Sequence, residues 1–304
     1  MATISAWIEG ARLRTLPASA APVLLGTGIA FGLGRGNAWL AVGCLVVALA
    51  IQIGVNFAND YSDGIRGTDE HRLGPPRLVG GGENPRRVLA AALGFFALAA
   101  GVGLAVVIAS ASWWLVAAGA AALVAAWFYT GGKHPYGYTG WGVSELMVFV
   151  FFGLMATLGT LWVQAKTLPW QAWLLAAALG LLSCALLMVN NLRDIPTDTQ
   201  SGKRTLAVRL GDRGARWAYV GLVVAALVLA AVVVFIPWPA VFSSGVRQWL
   251  PGFAVLLVIW GGAAATMRPV RRGATGRDLV VALRNTGFLT LAFGALLALL
   301  FALG

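Results

Sequence analysis

Two runs of acids and amides hold the residue types that could do chemistry in this chain. The first is Asn59-Asp60-Tyr61-Ser62-Asp63-Gly64-Ile65-Arg66-Gly67-Thr68-Asp69, and the second is Asn190-Asn191-Leu192-Arg193-Asp194-Ile195-Pro196-Thr197-Asp198. Gln52, Asn56, Asn59 and Asp63 recur at helical spacing, as do Asn190, Asp194 and Asp198, so each set falls on one helix face. Carboxylates grouped this way repel one another unless a cation sits among them. Mg²⁺ favours a few carboxylates together with water and phosphate oxygens. Arg66 lies within the first run and Arg72 and Arg77 follow it, while Lys203, Arg204 and Arg209 follow the second, which suits the negative charge of a diphosphate. Either run alone could be helix-end capping and turn chemistry. Two runs in matching phase point instead to a metal-assisted diphosphate clamp.

The elements that position these runs follow from composition. The chain has 304 residues, of which 59% are hydrophobic and only 11% charged, with mean hydropathy +0.81. An ordinary soluble domain carries roughly 25% charged residues, and a disordered chain is polar and charge-rich. Cys44 and Cys184 both lie in apolar runs, and with His71 and His134 they are too few to build a Cys/His metal site. What remains is an all-α integral membrane protein in the lipid bilayer. It reads as a single bundle over residues 1–304, around a central cavity open near the cytoplasmic side.

At about 20 apolar residues per crossing, nine transmembrane helices are expected. They cover Leu16–Leu33, Trp39–Phe57, Val88–Ser110, Trp113–Tyr129, Val143–Val163, Trp170–Val189, Trp217–Ile236, Leu250–Met267 and Val281–Leu303. With a cytoplasmic N-terminus, 19 of the 22 Lys and Arg residues fall on the cytoplasmic side, and only Arg35, Lys166 and Arg247 lie opposite. The positive-inside rule therefore orients the chain in the cell membrane with its C-terminus outside. The net charge of +11 needs no nucleic-acid partner to explain it. All eleven carboxylates share the cytoplasmic side, and the rule says little about acids, so their clustering needs another reason.

These residues resemble the UbiA superfamily of intramembrane prenyltransferases. That family's first motif is commonly N-D-x-x-D-x-x-x-D. Asn59, Asp60 and Asp63 match it, and the third acid, Asp69, comes six residues after Asp63. The second motif is commonly D-x-x-D, and here Asp194 and Asp198 are one residue further apart. Both departures are similar to the 1,4-dihydroxy-2-naphthoate polyprenyltransferase branch. So are RLRTLPASAAPVLL (from Arg12), RLGPPRLVGGG (from Arg72), YTGGKHPYGYTG (from Tyr129), ELMVFVFFGLMATLGT (from Glu145) and, most specifically, NNLRDIPTDTQSGKRTLAVRLG (from Asn190).

The resemblance implies transfer of a polyprenyl group from an allylic polyprenyl diphosphate to 1,4-dihydroxy-2-naphthoate, with loss of CO₂ and diphosphate. It implies Mg²⁺ held by Asp60, Asp63, Asp194 and Asp198 with Asp69. Asn56, Asn59, Asn190 and Asn191 would add oxygen contacts, and Arg66, Arg77, Lys203 and Arg204 would neutralise the diphosphate. Trp127, Phe128, Tyr129, Phe149, Phe151 and Phe152 could shield an allylic cation, though aromatics at span ends also serve as interface anchors. Lys133, beside Tyr136 and Tyr138, is the candidate partner of the acceptor carboxylate. His134 is a possible proton acceptor. Glu145 either orients the acceptor, takes a proton, or favours a helix N-terminus. Other superfamily acceptors (4-hydroxybenzoate, homogentisate, a haem precursor) remain alternatives within this reading. A secondary transporter is the alternative outside it, and would place its polar groups nearer the midplane.

Overall fold

The computed structural model describes residues 2–67, 77–238, 241 and 245–304. Asp69 and Arg72 lie outside the described residues. Among those described, the chain is helical with no strand. A short α1 (Ile4–Gly10) leads into α2 (Leu16–Gly32), α3 (Ala38–Ile65), α4 (Pro85–Ser110) and α5 (Trp114–Phe128). After a 3₁₀ turn at Tyr136–Tyr138, α6 (Val143–Val148) runs through a π-helical segment (Phe149–Met155) into α7 (Ala156–Ala165). The long α8 (Trp170–Gln200), α9 (Leu206–Phe235), α10 (Gly245–Arg271) and α11 (Gly276–Leu303) complete the bundle.

Seven of these segments are long and apolar enough to cross a membrane, counting α6 to α7 as one. This departs from the nine expected. The helices at the first and fourth expected spans, α2 and α5, have 17 and 15 residues, short of a full crossing length. Other helices run longer than the sequence suggests. Hydropathy registers only the part in lipid, whereas α3 continues to Ile65 and α9 starts at Leu206, where Thr205 caps it by accepting from the Val208 N–H. Helix α8 continues through Pro196 to Gln200, so Asn190, Asp194 and Asp198 do share one helix.

Small residues set how closely the bundle packs, as membrane helices require. A Cβ on Gly28 would stand 2.3 Å from Ala298 Cα, and one on Gly294 would stand 2.5 Å from the Ala21 carbonyl oxygen; α2 and α11 therefore meet backbone to backbone. The π segment meets α8 the same way at Gly153 and Gly180. A Cβ on Gly153 would lie 2.4 Å from Gly180 Cα. Gly153→Val should therefore destabilise the protein by about 1–3 kcal/mol through overpacking, visible as a lowered unfolding midpoint in detergent. Gly159→Ala, with open space around its Cβ position, should leave that midpoint unchanged.

The π segment has a positional consequence. Met147, Phe151, Met155, Gly159 and Val163 all face one cavity, a step of four residues. In an ideal α-helix that step drifts by about 40° each time. The wider π turn takes up the drift and keeps one face on the cavity along the whole span.

Candidate functional site

Two adjoining chambers lie between the helices. The larger, about 880 Å³, is mostly apolar. It runs from Arg12, Asn59 and Asp60 at one end of α3 to Cys44, Val107 and Leu115 near the other. The smaller, about 70 Å³, is polar and is lined by Asn59, Asp63, Tyr138, Asn191, Asp194, Asp198 and Lys203 among others. Arg12, Asn59, Arg77, Tyr129 and Asn190 line both, so the polar chamber adjoins the apolar one across these five residues.

Asp63 is the hub of the polar chamber and is 2% exposed. Its carboxylate pairs with Arg77, accepts from the Tyr138 hydroxyl and lies 3.1 Å from Lys203 Nζ. Lys203 also sits over the Tyr138 ring, 4.7 Å from its centroid. Burial, with the Asp63 charge beside it, holds the Tyr138 phenol well above its ordinary range, so it remains a hydrogen-bond donor. Burial likewise pushes the Tyr136 phenol up to about 12. Across the chamber, α8 presents Asp194, whose carboxylate receives Arg193 Nε and Nη2 at 2.7 and 2.6 Å, while Arg193 Nη2 also donates to Asn190 at 3.0 Å. The backbone N–H of Lys203 donates to the Asp198 carbonyl at 2.8 Å, tying the cation-bearing turn to the end of α8.

Asp60 sits apart from the polar chamber. Its two carboxylate oxygens accept the backbone N–H groups of Leu78 and Val79 at 2.9 and 3.1 Å, and it lines the apolar chamber but not the polar one. It fixes the turn that delivers Arg77 to Asp63. Among the described residues no three acids stand together as a ready-made metal-ligand group, so the expected four-aspartate cage is not gathered. Buried like charges separate and take nearby cations as partners. The polar chamber nonetheless draws its walls from Asp63, Asp194 and Asp198 with Asn59, Asn190 and Asn191. An all-oxygen donor set of carboxylates and amides fits a hard divalent cation such as Mg²⁺.

Other expected residues fall outside both chambers. Arg66 donates to the Thr130 and Gly132 carbonyls and lies 5.6 Å from the centroid of the Tyr138 ring; it braces the loop instead of facing a substrate. That loop turns at Gly132, in the left-handed region at φ +77, which leaves Lys133 and His134 exposed and away from either lining. Lys133 is therefore not placed to meet an acceptor. Arg204 is exposed, its N–H donating to the Tyr138 carbonyl at 3.2 Å. Glu145 belongs to neither lining, and its Oε1 is buried without a hydrogen-bond partner among the described residues. Of the expected aromatics, Tyr129, Phe151 and Phe152 face the apolar chamber, whereas Phe149 packs on Gly180.

Sequence reasoning passed over Arg12. It stands between α1 and α2 with φ +53, a strained backbone for an arginine. Its carbonyl accepts from Thr15 Oγ1 at 2.9 Å, and Asn56 Nδ2 donates to the neighbouring Ala11 carbonyl at 2.9 Å. The only sequence signal there is the RLRTLPASAAPVLL segment that Arg12 opens.

Residues 19–277 match the model of the UbiA prenyltransferase family. The chain is 48% identical to the 1,4-dihydroxy-2-naphthoate octaprenyltransferase of Mycobacterium tuberculosis (strain ATCC 25618 / H37Rv), over 100% of this chain and 99% of the relative. Two solved structures share the fold at 16% identity. One is a UbiA homolog from Aeropyrum pernix K1, with TM-score 0.62 over 97% of this chain and 98% of that one. The other is a UbiA homolog from Archaeoglobus fulgidus bound to GPP and Mg²⁺, with TM-score 0.58 over 95% and 99%.

Proposed function

This chain belongs to the UbiA prenyltransferase family, and from that premise we propose that it transfers a polyprenyl group from an allylic diphosphate to 1,4-dihydroxy-2-naphthoate, in the pathway to menaquinone. The observation that carries the reading is the junction of the two chambers. A small polar pocket with cations and oxygen donors adjoins a large apolar cavity across shared residues, as a diphosphate head and a hydrocarbon tail require. The relative named above supports the acceptor. The protein crosses the cell membrane nine times, with α2 and α5 as the two short crossings and the acid-bearing helix ends on the cytoplasmic side.

In this reading Asp63, Asp194, Asp198 and the amides Asn59, Asn190 and Asn191 would hold Mg²⁺, and Asp69 would be a further ligand. When bound, the metal supplies Lewis-acid neutralisation of charge on the diphosphate oxygens. Arg77 and Lys203 hold the diphosphate as the C–O bond breaks and its electron pair leaves with the phosphate oxygen. Tyr138 donates a hydrogen bond at the same place. The apolar chamber excludes water from the allylic carbon, and Tyr129, Phe151 and Phe152 turn ring faces to its positive charge. The acceptor ring carbon forms the new C–C bond, and CO₂ leaves with its bonding electrons returned to the ring.

Purified protein given Mg²⁺, a polyprenyl diphosphate and the naphthoate should release diphosphate and CO₂ in equal amounts. Chelation should stop both, and added Mg²⁺ should restore them. Folded protein that yields neither product would end this reading. Turnover with 4-hydroxybenzoate instead would keep the family chemistry and change the acceptor.

A further inference from the structure

One wall of the apolar chamber carries a polar ladder that the diphosphate clamp does not use. Ser19 Oγ donates to Gln52 Oε1 at 3.1 Å, Gln52 Nε2 donates to Asn56 Oδ1 at 3.1 Å, and Asn56 Nδ2 donates to the Ala11 carbonyl at 2.9 Å. Ser19 and Asn56 are each 2% exposed, and all three side chains line the chamber. Toward the outer end, the same face of α3 continues as Ala48, Val47 and Cys44. Gln52 is thus the last strongly polar group on α3 before the cavity becomes apolar. It lies seven residues from Asn59, about 10 Å along the helix axis. Polar groups at such a depth are costly in a membrane and mark functional sites by default.

The ladder is internally incomplete at Gln52. An amide has two N–H donors and two acceptor lone pairs. Ser19 and Asn56 take one of each, which leaves one donor and one acceptor on a side chain that lines the cavity. Ala11 and Thr15, which anchor the foot of the ladder at Asn56, flank Arg12, which with Arg77 is a cation shared by both chambers.

We propose that Gln52, held by Ser19 and Asn56, is the residue that reads a ring hydroxyl of the aromatic acceptor, placing that ring between the diphosphate pocket and the prenyl tail. This rests on the acceptor reading above and adds to it a specificity determinant. A hydroxyl supplies both a donor and an acceptor, which matches what the amide has left. An analogue without that hydroxyl leaves the amide unpaired in a desolvated wall, and sites built this way discriminate strongly against the missing group.

The test is competition for acceptor binding. Ki values against naphthoate turnover are measured for 1,4-dihydroxy-2-naphthoate analogues that lack either the 1- or the 4-hydroxyl, with wild type, Gln52→Met and Ser19→Ala. The wild type should bind one deoxy analogue about tenfold more weakly than the other, relative to a non-reacting dihydroxy reference. Gln52→Met should collapse that ratio to near unity, with KM for the polyprenyl diphosphate unchanged. Ser19→Ala, which frees the amide to turn, should reduce the ratio without abolishing it, and serves if the Met variant does not fold. Equal loss of affinity for all acceptors, or a raised KM for the diphosphate, would overturn the proposal and assign the ladder to holding α2 against α3. A wild type that turns over another acceptor and not the naphthoate would overturn the acceptor reading first, and this inference with it.

Discussion

Asp63→Asn should lower turnover by about a thousandfold while leaving diphosphate binding in the absence of Mg²⁺ undiminished. The substitution keeps the shape of the side chain and removes one negative charge from the centre of the polar chamber. Three groups converge on that charge: Arg77, Lys203 and the Tyr138 hydroxyl. Two of them are cations that lose a buried carboxylate partner, and breaking a buried pair is destabilising, so the unfolding midpoint should fall as well. A loss of activity alone would therefore not separate a metal-binding role from a structural one. The binding signs do separate them. Without Asp63, the two cations face an incoming diphosphate with less competition, so metal-free diphosphate should stabilise the variant at least as much as the wild type. The extra stabilisation that Mg²⁺ adds in the wild type should vanish, and with it the charge neutralisation that makes diphosphate leave. Thermal shifts with diphosphate, with and without Mg²⁺, measure both. A variant that retained the Mg²⁺ increment would remove Asp63 from the metal site.

The helices that carry the site were legible in the sequence because periodicity survives folding. The Gln52–Asn56–Asn59–Asp63 face is one face because α3 runs unbroken to Ile65, and the α8 face holds through Pro196. What the side chains do at the ends of those faces was not legible. Asp60 has the same residue type and nearly the same position as Asp63, yet it caps the Leu78–Val79 turn. That turn is a loop whose path is set by tertiary packing, and no local pattern encodes which aspartate meets its amides. The exposed position of Lys133, beside a left-handed glycine at Gly132, was not legible for the related reason that a loop's path sets which way its residues face. Arg12 opens a segment that carries the resemblance, but its place was not legible because it comes from a turn pinned by α3, over forty residues away in sequence. The lengths of α2 and α5 were not legible, because composition measures apolarity, whereas a helix's length is fixed by where turns stop it, as after Gly32 in α2 and Phe128 in α5.

Lys203→Met should act with the opposite sign on metal affinity. Lys203 follows α8 by a short turn and reaches Asp63 on α3, and its own N–H holds the Asp198 carbonyl. It is the cation that joins the two acid-bearing helices. In the resting chamber it competes with any metal for the Asp63 carboxylate, since an ion-paired oxygen is a poorer ligand than a free one. Methionine keeps the length and much of the packing over the Tyr138 ring but removes the charge. The Mg²⁺ concentration for half-maximal activity should therefore fall by several-fold, even as kcat drops by about a hundredfold because one of the charges that receives the departing diphosphate is gone. The two effects cannot both arise from general damage, which would weaken Mg²⁺ dependence and turnover together. Arg77, still paired with Asp63, should keep the variant folded. Titrating Mg²⁺ against steady-state rates for wild type and variant reads both numbers at once. An unchanged or raised Mg²⁺ requirement would mean that Lys203 and the metal do not share Asp63, and that the two helix ends are joined by a structural ion pair rather than by the grip on a diphosphate.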